Sequence, residues 1–385
     1  MKTKFGMSSV CHVATGILLF GLSVIFPSLV QGRPQVSSPP RRDTAHSGSQ
    51  TKPKFKAIWE PVNYTEDINL SDVLFVSATV GWVSGGVAGK GAGVILNTQD
   101  GGDHWTVQWG DPNGAEDGPS DFFFLDSTHG WARQGYGKLL HTTDGQLWVP
   151  GGTIDAHSTN YAFVSEKIGL ALKDHEIQRT VDGGRTWKPV NECAVKVEVD
   201  GLTRNVQCSW SKVQFPTVSA GYVVGYISSM NAPHAVLGKT VDGGATWTLS
   251  VVEGLAGGGG DVFFFDANTG FMRAGGFVDG QFYKTTDAGV TWKPMAVVPG
   301  KRFGFVDREV GWSFLGRDLH YTTDGGLHWN SRAISFPVDV NAWSLPQRVR
   351  GYVVGDHGMV YRYRIVPGDY SAKGMLAAPM VSEAP

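Results

Sequence analysis

Short apolar runs bounded by glycine recur along this chain, as in Gly221-Tyr-Val-Val-Gly225. Glycine opens an equivalent run before a large residue at Gly81-Trp82, Gly130-Trp131, Gly169-Leu170, Gly270-Phe271, Gly311-Trp312 and Gly351-Tyr352. Six residues ahead of all but the last of these seven glycines stands an aromatic: Phe75, Phe124, Phe163, Phe215, Phe264 and Phe305. The seventh unit breaks that register, with Leu345 in place of the aromatic and Trp343 two residues earlier. A polar signature follows the runs. It reads Thr98-Gln-Asp100-Gly-Gly102-Asp-His-Trp105, returns around Asp182, Asp242, Asp287 and Asp324, and is one residue short around Asp144. Glycine supplies the positive φ of a hairpin turn, the aspartate accepts turn N–H groups, and Trp opens the next strand facing inward. The aspartates Asp100, Asp144, Asp182, Asp242, Asp287 and Asp324 therefore read as structural. A metal or catalytic role would be needed in every copy, and none has clustered ligands.

Each unit parses as four strands. The first (A) ends near the Phe, B is the glycine-led run, C enters the Thr-x-Asp turn and D starts at the Trp. Seven units over 57–366 average about 44 residues, the length of a propeller blade. The expected fold is all-β, a seven-bladed β-propeller of four-stranded blades. The last unit lacks strand D, and Trp59-Glu-Pro-Val62 copies Trp187-Lys-Pro-Val190. The N-terminal strand is thus expected to complete the last blade and remove the exposed sheet edges.

Composition agrees with this and excludes other classes. Gly is 52 of 385 residues and 41% are apolar, so the chain turns often and can still bury a core. The formal charge of −2 lacks the basic face that phosphate contacts need, so no nucleic-acid partner is expected. Residues 1–32 read as a signal peptide: Lys2 and Lys4 precede an apolar stretch from Val13 to Val30. An uncleaved anchor is the alternative. Residues 33–56 form a basic Pro/Ser-rich linker and 367–385 a disordered tail. The linker could touch an anionic membrane or be a solvated tether. Export is expected, to periplasm, thylakoid lumen or the extracellular space.

The gap from Asp182 to Asp242 is the longest between turns and holds Cys193 and Cys208. In an exported chain this pair suggests a disulfide across a hairpin from Glu192 to Trp210, with two buried thiols as the alternative. No cysteine or histidine spacing suits a metal. Gly85–Gly91 departs from a phosphate loop at its spacing and at Gly91, and reads, like Gly257–Gly260, as a turn between strands.

Strand register supplies the candidate site. Three residues before the Phe marks lie Asp72, Asp121, Asn160, Lys212, Asp261 and Arg302. They form a ring at one channel mouth, able to bind a polar ligand or a partner's side chains, or else a solvated rim. Arg133, Arg179, Lys239, Arg273 and Lys284 form a second, basic set for an acidic partner, or solvated strand ends.

The Thr-x-Asp-x-Gly-x-x-Trp turns resemble Asp-boxes, or BNR repeats. With the Gly-aromatic and Phe marks, residues 57–366 resemble the photosystem II stability and assembly factor family. That resemblance implies a non-catalytic scaffold with no cofactor, binding a protein partner within a membrane complex. A monomer is expected. The lipid-anchored cysteine frequent in cyanobacterial members is absent after the leader. Sialidases and other glycoside hydrolases share the box, so a glycan-active enzyme is the rival and a carbohydrate-binding module a third reading. Seven units, and an Arg364-Ile-Val-Pro367 segment at the wrong end of the chain, depart from the sialidase pattern. Asp72 and Asp121 are the one carboxylate pair that suits a glycosidase test.

Overall fold

The computed structural model describes residues 54–370, without 63, 65, 87–92, 111–117, 200–201, 228–233, 256, 276–279, 298–299 and 301. The leader, nearly all of the linker and the tail beyond 370 lie outside the described residues.

Seven four-stranded antiparallel sheets follow one another along the chain. Their innermost strands are Asn69–Phe75, Ser120–Phe124, Ser158–Phe163, Ser209–Gln214, Gly259–Phe264, Phe303–Phe305 and Ala342–Gln347 for blades 1 to 7. In blades 1 to 6 the strands add outward in chain order. Blade 7 takes its outermost strand from the other end of the chain: Phe55–Pro61 pairs antiparallel with Val360–Pro367, Trp59 opposite Tyr363. The propeller thus runs from Phe55 to Pro367.

The spacing of the Phe and Gly marks has a steric cause. Phe75 lies opposite Gly81, Phe124 opposite Gly130, and Phe264 opposite Gly270 in strand register. A Cβ on Gly130 would stand 2.3 Å from the Phe124 ring, and one on Gly81 would stand 2.4 Å from Phe75. The ring covers the glycine, so neither residue can change alone. Where the residue after the glycine is aromatic and the next blade carries the Phe mark, the two rings stack. Trp82 lies 3.9 Å from Phe124, Trp131 3.8 Å from Phe163, and Tyr222 3.5 Å from Phe264, ring centre to ring centre. Tyr352 on Phe75, at 3.4 Å, carries the series across the closure. In blade 7 the Phe place is shared: a Cβ on Gly351 would meet Trp312 of blade 6 at 2.4 Å and Leu345 at 3.3 Å. Trp312 supplies the missing ring, which is why the mark breaks there.

Cys193 and Cys208 form a disulfide with Cα atoms 5.2 Å apart. It pins the base of a hairpin, Ala194–Val199 with Leu202–Gln207. Both cysteines are buried with Val195 among blade 3 and blade 4 residues such as Leu172, Val223 and Val236. Two expectations are corrected. Gly85 and Gly86 are paired in a strand with Leu70 and Asn69, and the rest of Gly85–Gly91 lies outside the described residues. Gly259 and Gly260 are not in a turn but open the inner strand of blade 5. A Cβ on Gly259 would meet Val224 at 2.2 Å, so glycine there lets blade 5 approach blade 4.

Candidate functional site

The inner strand of each blade is a sheet edge, and its outward N–H and C=O groups face the channel. Such an edge invites foreign strands unless it is covered. Here neighbouring blades cover part of it with side chains. The Phe122 N–H donates to Asp72 Oδ2 (2.7 Å), that of Val213 to Asn160 Oδ1 (2.9 Å) and that of Phe75 to Ser344 Oγ (3.0 Å). Gln214 exchanges two bonds with the Phe264 backbone, at 2.5 and 3.2 Å.

A bulge aims these side chains. The inner pairing of blades 1, 3, 4 and 5 skips one residue immediately before Asp72, Asn160, Lys212 and Asp261. In blade 2, Asp121 sits in the bulge itself at φ 54°. A bulge bends the strand and re-aims the next side chain. All six ring residues (Asp72, Asp121, Asn160, Lys212, Asp261 and Arg302) line one cavity of about 760 Å³. A second chamber of about 560 Å³ shares Asp72, Lys212 and Arg302 with it and reaches Asp339, Asn341 and Trp343.

The charges are mostly matched. Lys212 Nζ lies 2.5 Å from Asp261 Oδ1, and Arg133 pairs with Asp121. Arg133 also donates to the Ser158 carbonyl (2.5 Å), and the Tyr161 hydroxyl donates to the Asp121 carbonyl. Asp261 Oδ2 is buried with no hydrogen-bond partner among the described residues. Arg302 is exposed and acts on Asp72 through space. Burial among the inner strands pushes the Asp72 carboxyl up to about 6; the Phe122 N–H opposes this and the Asp121 charge adds to it. Burial likewise pushes the Tyr161 hydroxyl well up.

The basic set does not form one patch. Arg133 and Arg273 lie at the channel-mouth end of their strands, opposite Ser120 and Asp261. Arg179, Lys239 and Lys284 lie at the other end, opposite Leu170, Tyr222 and Phe271. Antiparallel pairing sets strand B's start beside strand C's end, so Arg133 and Arg273, three residues further along strand B, lie at the opposite end of a blade from residues just before strand C's end. Arg273 is also buried, its guanidinium 2.6 Å from where a Cβ on Gly280 would stand.

The turn aspartates serve their own turns. In the turn at Asp182, Thr180 Oγ1 donates to Oδ1 (2.7 Å), as does the Thr186 N–H (2.9 Å). The Thr186 hydroxyl donates to Oδ2 (2.6 Å) and the Gly184 N–H to Thr180 Oγ1 (3.0 Å). The same bonds recur at Asp242 and Asp287. These bonds hold Asp182 and Asp287 down to about 2, and the backbone N–H and ring of His104 and of His328 do the same at Asp100 and Asp324. Among the described residues no three His, Cys, Asp or Glu side chains cluster as a metal site.

Sequence reasoning missed Asn341, Asp339 and Trp343, because blade 7 departs from the Phe register used to find the ring. It also missed Gln214, which clamps blade 5. A small residue before the aimed one (Ser71, Ser120, Thr159, Ser211, Gly260) was the available signal for the bulges.

Seven four-stranded blades around a channel define a seven-bladed β-propeller. Among solved structures the chain is similar to YCF48 from Cyanidioschyzon merolae (18% identity, TM-score 0.54, covering 80% of this chain and 98% of that one). It is equally similar to YCF48 bound to D1 peptide (18%, 0.54, 81% and 97%). A streptogramin B lyase structure matches at 7% identity and TM-score 0.52, over 81% and 98% of the two chains. At these identities the likeness is one of fold. No family model and no curated protein matches the sequence. No helix among the described residues is long and apolar enough to cross a membrane.

Proposed function

We propose that this chain is an exported, non-catalytic propeller that holds a polypeptide segment of a membrane-protein complex at its channel mouth, as an assembly or stability factor does. The observation that carries this reading is the lining of the cavity. Six blades each contribute an acid, a base or an amide to one continuous space. Such a surface offers donors and acceptors of both signs to the backbone and side chains of an extended peptide. The YCF48 propeller bound to D1 peptide supports it, because a propeller of this shape takes a peptide. In this reading the protein acts as a monomer without a cofactor, in the periplasm, thylakoid lumen or extracellular space.

The test is affinity capture of the tagged full-length protein from its native membranes. Wild type should retain a defined membrane-protein complex, and Arg302→Glu should lose it. Retention of glycans alone, or of the same complex by Arg302→Glu, would overturn the reading.

One observation favours a glycan-active enzyme instead. Asp72 is raised to about 6 beside Asp121, which is ion-paired with Arg133. A carboxyl raised by burial with a second carboxylate beside it is the kind of pair that glycosidases use. Against it, the Asp72 oxygens already accept the Val73 and Phe122 N–H groups, at 2.9 and 2.7 Å. Oligosaccharide hydrolysis that is abolished by Asp72→Asn would establish the enzyme.

A further inference from the structure

Tyr136 is the most exposed aromatic among the described residues, at 86%, against 55% for Phe55 and 38% for Tyr226. Its side chain has no hydrogen bond or ring contact among the described residues. Its backbone lies in the left-handed region, at φ 60° and ψ 24°. The turns between strands B and C of other blades fill such a place with Asp174 (φ 45°), Gly316 (φ 60°) and His357 (φ 56°). Glycine, aspartate and histidine enter that region more readily than a bulky residue does. The turn around Tyr136 is nonetheless well held. The Gln134 N–H donates to the Lys138 carbonyl (2.7 Å) and the Ile154 N–H to the Gly137 carbonyl (2.8 Å). A Cβ on Gly137 would stand 2.2 Å from the Ile154 carbonyl oxygen. A fixed turn thus holds a large ring out in water at a cost to the fold, and strain of this kind persists where function uses it.

The turn stands at the channel-mouth end of blade 2. Arg133, which ends strand B, lies opposite Ser120, the first residue of the inner strand. Arg133 also pairs with Asp121 of the mouth ring. Tyr136 follows three residues later, so the two Cα atoms are at most about 11 Å apart. An extended peptide spans that distance in about three residues. Tyr226 stands at the same end of blade 4, opposite Ser209.

Tyrosine gives an interface a large, stiff apolar ring with a polar tip, for the loss of only two side-chain torsions, and it is enriched where binding energy concentrates. We propose that Tyr136 anchors the polypeptide segment held at the channel mouth: the segment leaves the ring across the rim of blade 2 and lays an apolar side chain on the Tyr136 ring. This rests on the reading of the mouth as a peptide site. It adds the direction in which the segment leaves and a requirement on its sequence, an apolar residue about three positions from those that meet the ring.

Two measurements on the full chain in its native membranes test this. A benzophenone amino acid replaces Tyr136 in one chain and Arg302 in another, and the photo-crosslinked products are sequenced. Both positions should label the same polypeptide of a membrane-protein complex, at neighbouring residues. Separately, Tyr136→Asn should retain about tenfold less of that complex than wild type while melting no lower, because asparagine accepts the left-handed backbone. Tyr136→Trp, which keeps a ring in place, should retain it. Labelling from position 302 with none from 136, or equal retention by Tyr136→Asn, overturns the anchor and leaves the reading of the mouth standing. Labelling from neither position overturns both. A Tyr136→Asn chain that melts several degrees below wild type also overturns the anchor, since the ring would then serve the fold.

Discussion

Gly130 can only be glycine because the Phe124 ring occupies the place its side chain would take. Overpacking of this kind costs about 1–3 kcal/mol. Gly130→Ala is expected to lower unfolding free energy by about that amount in urea titration, and clearly less in a Phe124→Leu background, where the ring is gone. Asp72 gives a pH dependence of opposite sense to the usual carboxylate. Its value of about 6 in the fold lies above that of an unfolded aspartate, about 3.9. Its stabilising share is therefore complete below about pH 4 and lost as pH rises through about 6. Two units correspond to at most about 3 kcal/mol, and exposure to channel water reduces this to about 1–2. Urea unfolding at pH 4 and pH 7 should thus show the Asp72→Asn variant gaining about 1–2 kcal/mol on wild type at the higher pH. An unchanged difference would mean that Asp72 titrates as an ordinary surface group.

At the scale of elements, the disulfide-pinned hairpin and the inner strands behave differently. The bridge closes a loop of 15 residues, for which chain entropy predicts about 3 kcal/mol. Cys193→Ala/Cys208→Ala should melt lower by several degrees, and a reductant should lower wild type toward it without moving the variant. Blade strands were legible in the sequence wherever a residue's neighbours lie in the same unit. The Phe–Gly spacing, the Thr-x-Asp turn and the borrowed strand at Trp59 are local patterns repeated until chance is excluded. The ring of Asp72, Asp121, Asn160, Lys212, Asp261 and Arg302 was legible as a register, but its partners were not. That Asp72 bonds the backbone of blade 2, or that Lys212 meets Asp261, depends on contacts between units that no periodicity records. The basic set failed for the related reason that strand direction alternates, which a list of basic residues beside marks does not encode. Blade 7 hid Asn341 and Trp343 because Trp312 of the previous blade fills the aromatic place there.

At the scale of the molecule, closure concentrates on Trp59. Its ring lies 5.5 Å from Trp312, 5.2 Å from Phe336 and 5.3 Å from Tyr363. Truncating a well-packed Trp costs about 3–5 kcal/mol, and Trp59 is only half-buried, so Trp59→Ala should cost about 2–3. The loss should appear with concentration-dependent light scattering near the transition, since an opened ring bares two strand edges. Loss of stability without scattering would show that the remaining strand pairing keeps the ring shut. The pairing of Phe55–Pro61 with Val360–Pro367 also sets an order in time. The strand needed to finish the propeller is made before every other described strand, and its partner after them all. A ribosome or a translocation pore that delivers this chain from its N-terminus must leave that strand waiting until every blade has emerged. A chain cut short before Val360 cannot make this join, so the ring shuts only after every blade has been synthesised.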